Sequence, residues 1–137
     1  MSPLLLDTCA AIWIAEDAPI ATAAAEALDA AVRHATPVLV SAMSAWELGL
    51  LVARQRLTLS MAPDAWFRRL LAVPGVAVAP LPPETLIASS FLPGDPPRDP
   101  VDRILAATAR AGGYSLVTRD RALLAYGERG HLATIEC

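Results

Sequence analysis

Four acidic residues stand out because of what surrounds them. Asp7 is the only charged residue among the first fifteen and directly follows the apolar run Pro3-Leu4-Leu5-Leu6. Asp120 stands in Thr118-Arg119-Asp120-Arg121, just after the apolar Leu116-Val117. Glu47 is the only ionisable side chain in residues 35–53, between Trp46 and Leu48. Asp102 lies in Asp99-Pro100-Val101-Asp102. Taken singly, each has an ordinary structural use. Asp7 suits a turn or an N-cap, and Asp120 a turn or the cap of a following helix. Glu47 fits equally an exposed position of a partly buried helix or a buried carboxylate, which is costly unless paired or bound to a metal. Asp102 takes the third helical position, where an acid favours the helix dipole and can complete a capping box. Asp99 reads mainly as the cap. Together, and given a parallel sheet, two acids at strand ends, one in an apolar helix and one at a helix start imply a shared pocket. Carboxylates gathered so closely cannot all stay ionised without cations. Hard oxygen donors without nearby Cys or His suit Mg²⁺ or Mn²⁺, ions that serve phosphoryl chemistry by activating water and neutralising phosphate.

The elements that must position these acids are legible in the hydrophobic pattern. Short apolar runs at residues 3–6, 38–41, 76–79 and 115–118 predict buried strands, with a possible fifth at 133–136. Helices are expected at 8–15, from the Asp17-Ala18-Pro19 start to about residue 34, and at 42–54, 63–73 and 83–91. The second of these should place Ile20, Ala24, Leu28 and Val32 on one face. Residues 92–98 form a Pro- and Gly-rich loop, after which Asp99 as N-cap and Pro100 as first helical residue open a helix to about residue 111, closed by Gly112-Gly113. A short helix follows from about Arg121. Strands alternating with helices over short connections argue for an α/β fold with a central parallel sheet of about four to five strands, flanked by helices. Ligands in such sheets gather beyond the carboxyl ends of the strands, where Asp7 and Asp120 fall.

Composition narrows the function. A chain of 137 residues suits a single domain spanning 1–137. The net charge is −3 and all 11 basic residues are arginine, so the strongly basic footprint of a constitutive DNA-binding module is missing, while a nuclease whose metal ions meet the phosphate is still allowed. The absence of lysine speaks against a receiver-type signalling domain and a haloacid-dehalogenase-like phosphatase; the latter also wants an acid two residues after its nucleophile, where Cys9 stands. Cys9 and Cys137 lack paired CxxC spacing and read as reduced thiols. His34 and His131 read as ordinary surface or loop residues. Trp13, Trp46 and Trp66 sit in apolar helical patterns and are expected in the core or an interface. No apolar run approaches a membrane span and no basic leader precedes Asp7, so a cytoplasmic protein is expected. Hydrophobic residues make up 55 % of the chain and mean hydropathy is +0.44, which leaves apolar surface for a partner. The faces of residues 20–32 and of the 42–54 helix should adjoin to form a groove for it.

Four segments carry a resemblance to a known family. Leu4-Leu5-Leu6-Asp7-Thr8 with Ile12-Trp13 resembles the opening of the PIN domain in VapC-type toxins. Ser44-Ala45-Trp46-Glu47-Leu48, Arg98-Asp99-Pro100-Val101-Asp102-Arg103 and Leu116-Val117-Thr118-Arg119-Asp120 are similar to its second, third and fourth segments, in the same order. The resemblance implies a PIN-like fold and a Mg²⁺- or Mn²⁺-dependent endoribonuclease that cleaves RNA phosphodiester bonds with a metal-activated water. It makes Asp7, Glu47, Asp102 and Asp120 the catalytic and metal-binding quartet, Asp7 and Asp102 being the most secure ligands, with Thr8 and Thr118 in support through hydrogen bonds. It also implies a homodimer, and a VapB-like antitoxin that silences the toxin by packing a C-terminal segment into an apolar groove, in a heterotetramer or larger complex. A non-enzymatic binding module is disfavoured because all four acids are present. Cys9 stands where many relatives have His, and Pro96-Pro97 where an aromatic-His pair is common; both departures bear on loop shape and substrate choice and remove no acid.

Overall fold

The computed structural model describes residues 1–137. Five strands, β1 (Leu4–Leu6), β2 (Val38–Val40), β3 (Val76–Val78), β4 (Ser115–Thr118) and β5 (Thr134–Glu136), alternate with seven helices. The helices are α1 (Thr8–Ala15), α2 (Thr22–Arg33), α3 (Ala42–Ala53), α4 (Pro63–Leu71), α5 (Pro83–Ala88), α6 (Pro100–Gly112) and α7 (Arg121–Glu128). All neighbouring strands pair in parallel, in the order β3-β2-β1-β4-β5. The chain therefore winds outward from β1 through β2 to β3, then crosses to the other side of β1 to lay down β4 and β5. The expected α/β architecture is found, fifth strand included.

Strand periodicity divides the core into two layers. Leu4 and Leu6 face a cluster with Ala10, Ala24, Ala31, Leu48, Trp66 and Leu70, so α1, α2, α4 and part of α3 cover that side. Leu5 points the other way, with its register partners Leu39 and Leu116, onto Val101, Leu105, Leu123 and Tyr126 of α6 and α7. Burial on both faces is why these strands read as continuous apolar runs rather than as alternation.

Two local readings are corrected. Asp17-Ala18-Pro19 does not start α2: Asp17 adopts a left-handed conformation (φ 56°) and closes α1, with the Ala18 amide donating to the Trp13 carbonyl, so α2 waits until Thr22. Ala24 is buried as expected, with Ile20 and Leu28 packed on the same core, but Ala31 completes the face and Val32 is 81 % exposed, because each step of four residues drifts by about 40° around the helix. The helix expected over 83–91 stops at Ala88, where the Ser89 hydroxyl donates to the Leu86 carbonyl (2.6 Å) and Phe91 turns outward.

The Pro-rich loop before α6 is held firmly. The fully buried Tyr126 donates its hydroxyl to the Pro93 carbonyl at 2.6 Å, and Arg129 donates to the Asp95 carbonyl at 2.7 Å. Gly94 lies between them at φ +71°, and a Cβ there would stand 2.6 Å from Nε2 of His131. His131, a loop residue as expected, stacks on the Tyr126 ring with centroids 4.9 Å apart. Tyr126→Phe removes the part-buried hydrogen bond to Pro93. It should lower unfolding free energy by about 0.5–1.5 kcal/mol, measured by urea denaturation; an unchanged midpoint would show that the loop does not depend on this bond.

Candidate active site

The parallel register brings Asp7 and Thr118 together. Leu6 pairs with Val40 of β2 and Val117 of β4, and one residue further the Asp7 amide still donates to the Val117 carbonyl (3.1 Å). Asp7 is 7 % exposed and caps α1, its Oδ1 accepting from the Ala10 amide at 2.7 Å. Its Oδ2 accepts from the Thr118 hydroxyl at 2.5 Å. The same hydroxyl oxygen accepts from the Asp120 amide at 3.0 Å, so one buried side chain orients both strand-end acids. Asp120 in turn caps α7, with Oδ2 accepting from the Leu123 amide (2.9 Å). Asp99 caps α6 through the Asp102 amide (3.0 Å), which sets Asp102 in the first turn, half-buried.

Glu47 arrives from α3. The Thr8 hydroxyl donates to Oγ of Ser44 at 2.9 Å, locking the start of α1 to the helix that carries Glu47 one turn beyond Ser44. Sequence reasoning gives Ser44 no role of its own; its spacing of three residues from Glu47 is the signal that could have found it. The turn leading to Asp120 has a further clamp: the Arg119 guanidinium lies 3.9 Å over the Trp13 ring, and its Nε donates to the Cys137 carbonyl at 2.7 Å. Trp66 is buried as expected and donates Nε1–H to Glu16 (2.8 Å), whereas Trp46 is 57 % exposed.

Electrostatics join the four acids. Burial pushes the Asp7 pKa up; the bonds from Thr118 and Ala10 oppose this, and the charges of Asp120 and Glu47 add to it. Burial also raises Asp102, to about 7, reinforced by Asp99, Asp120, Asp7 and Glu47. The Cys9 thiol, at the same edge, is pushed to about 11 by burial and then by Asp7, Glu47, Asp102 and Asp120. None of the four acids forms an ion pair with an arginine; the ion pair in the protein is Arg68–Asp64, on the surface. The carboxylates are near enough to feel one another but are not closed on a point: no three His, Cys, Asp or Glu side chains converge closely enough to hold a metal ion. Asp7 and Asp120 are turned instead toward the amides they cap.

The PIN-domain sequence profile matches residues 4–128. This chain belongs to the PIN-domain family. It is 36 % identical over 125 residues to Ribonuclease VapC22 of Mycobacterium tuberculosis, covering 90 % of this chain and 91 % of that protein. Among solved structures, it superposes on VapBC2 of Rickettsia felis bound to a promoter DNA fragment with a TM-score of 0.68 at 12 % identity, over 98 % of both chains. DNA-bound VapBC of Salmonella typhimurium gives 0.66 at 16 % identity, over 99 % of this chain and 98 % of that one. At such identities the structural matches establish the shared fold.

The PIN domain also carries an apolar groove of about 570 Å³, whose walls include Leu28 and Val32 of α2 and Trp66 and Leu70 of α4. The expected second wall, α3, is not part of it, because α3 packs against α4 and α6 rather than beside α2. Glu16 and Arg69 stand at the groove's polar margin.

Raised carboxyl pKa values make a stability statement. With its folded pKa near 7 against an ordinary 3.8, Asp102 favours the folded state at low pH, and that contribution is lost as pH rises through 7. Asp7 acts in the same direction. In EDTA the protein should therefore be less stable at pH 8 than at pH 5. Asp102→Asn should recover about 1–2 kcal/mol at pH 8, the full shift being discounted for solvent screening. Thermal melts in EDTA at both pH values check this; a variant less stable than wild type at pH 8 would refute the repulsion.

Proposed function

We propose that this PIN domain is a metal-dependent endoribonuclease acting as the toxin of a toxin–antitoxin pair. The observation that carries the reading is the 36 % identity to Ribonuclease VapC22 along nearly the whole chain, combined with four carboxylates gathered at the switch point of the sheet. Asp7 and Asp102 are the principal residues to hold Mg²⁺ or Mn²⁺, with Glu47 and Asp120 completing the set. The donor chemistry fits: the pocket offers hard oxygen, its histidines lie elsewhere, and a divalent cation would relieve the burial and mutual repulsion that raise Asp7 and Asp102. When bound, such an ion supplies water activation and neutralisation of charge on the scissile phosphate. The protein's own part is positional. Thr118 holds Asp7 and the Asp120 backbone in one frame, and Thr8 with Ser44 sets α3 and Glu47 against α1.

The partner in this reading is a VapB-like antitoxin, its apolar segment lying between α2 and α4. RNA is the substrate. A homodimer, expected from the family, would draw on the exposed Trp46, Ile87 and Phe91. No helix is long and apolar enough to cross a membrane, which accords with a cytoplasmic site of action.

Asp7→Asn and Asp102→Asn should each reduce Mg²⁺- or Mn²⁺-dependent cleavage of RNA by at least about 100-fold, with circular dichroism unchanged. Asp120→Asn should be milder. Full activity in either of the first two purified variants would remove the site assignment. For the partner, expression of the chain alone should arrest growth, and co-expression with a small antitoxin from the adjacent gene should restore it. Val32→Glu, at the exposed lip of the groove, should break that rescue while leaving cleavage intact; rescue unaffected by Val32→Glu would place the antitoxin elsewhere.

A further inference from the structure

Beside the acidic pocket lies a second hollow that the four carboxylates do not account for. It measures about 280 Å³ and runs between the Pro96-Pro97-Arg98 segment and the small-residue face of α7, Ala122 and Ala125, with Arg129 at its far end. Both walls are continuous along the chain with segments that carry the acids. Arg98 directly precedes Asp99, which caps the helix carrying Asp102, and Ala122 is two residues beyond Asp120. The hollow is preformed, because Tyr126 and Arg129 pin the loop through the Pro93 and Asp95 carbonyls and Pro97 is buried. One donor of Arg129 is spent on Asp95; Arg98 is exposed and has no hydrogen-bond or ion-pair partner in the protein. Asp95 also lines the hollow but forms no ion pair with either arginine.

In a protein of net charge −3, two arginines on one preformed hollow can receive an anion, with Asp95 the one acid that lines it. Neither arginine is ion-paired with any of the four acids. That is the arrangement needed to hold a phosphate adjacent to the scissile one without competing for the cation. We propose that this hollow is a phosphate-binding subsite for single-stranded RNA next to the cleaved bond, with Arg98 and Arg129 as its donors. The inference rests on the ribonuclease reading and specifies where its substrate lies. Guanidinium forks match phosphate oxygens. The walls are proline and alanine, offering no aromatic platform for a base, so the subsite reads backbone and not sequence.

The test is the salt dependence of binding and cleavage. Each phosphate contact to a single strand contributes about 0.7 to the slope of log affinity against log salt. Arg98→Gln should lower the slope by about that amount, and Arg98→Gln/Arg129→Gln by about twice it. Under cleavage conditions the loss should fall on KM, roughly threefold to tenfold per arginine. Arg54→Gln/Arg56→Gln, beyond the end of α3, serves as the control and should change neither quantity. Fluorescence anisotropy with a labelled single-stranded oligoribonucleotide in EDTA measures the slope without cleavage, so it decides the subsite even if the nuclease reading fails. Because Arg129 also pins the loop, the single Arg98 variant is the decisive one. An Arg98→Gln slope and KM equal to wild type would overturn the subsite; a wild type that binds RNA through Arg98 but never cleaves it would overturn the nuclease and leave the subsite standing.

Discussion

The Thr118 hydroxyl is the hinge of the carboxyl edge. It donates to Asp7 on the neighbouring strand and accepts from the amide of Asp120, so two acids that repel each other are held at a defined spacing by one neutral, fully buried group. The bond exists because β4 lies directly beside β1, and that adjacency exists because the chain crosses over β1 after β3. A hydrogen bond to an ionised carboxylate is worth about 1.5–3 kcal/mol. It works against a burial that pushes Asp7 toward its neutral form. The edge is thus a balance between desolvation, which disfavours charge, and oriented donors, which restore it.

Helix capping explains how acids can be gathered at one edge and still be stably held. Asp7, Ser41, Asp99 and Asp120 each accept a backbone N–H at the start of α1, α3, α6 and α7, so four helices begin at one edge with their side-chain caps in place. A cap contributes about 1 kcal/mol, and the positive end of the helix dipole favours the same charge. No buried side-chain polar atom is left without a partner. Asp7 and Asp120 therefore carry a structural role beside the chemical one proposed for them, and the structural role is the one expressed in their side-chain orientations. The absence of three converging ligands follows from the same fact, since a carboxylate oxygen turned to its own helix is turned away from a common point.

Two further surfaces differ in chemistry. The groove between α2 and α4 is apolar, with Trp66 fixed by Glu16, and suits a packed segment. The hollow beside α7 is small, rigid and flanked by arginine, and suits an anion. Separation of the two follows from the layering of the core, which puts α2 and α4 on one face of the sheet and α6 and α7 on the other. The two surfaces therefore open on different faces of the sheet.

Much of this was legible in the chain alone. Strand and helix order followed from apolar runs and from Asp99-Pro100 and Gly112-Gly113, because burial and backbone chemistry are local and leave periodic traces. The unusual settings of Asp7, Glu47, Asp102 and Asp120 were visible for the same reason, as was the resemblance that groups them. Local signals misled where two satisfactory solutions compete: Asp17-Ala18-Pro19 can start a helix, yet here it ends one. What only the tertiary structure decided is adjacency. Nothing periodic in the sequence says that β4 pairs with β1, that Thr118 reaches Asp7 across 111 positions, or that α4 and not α3 faces α2. Those choices are made by the non-local packing of two apolar layers, whose free energy belongs to the assembled sheet and to no single segment of it.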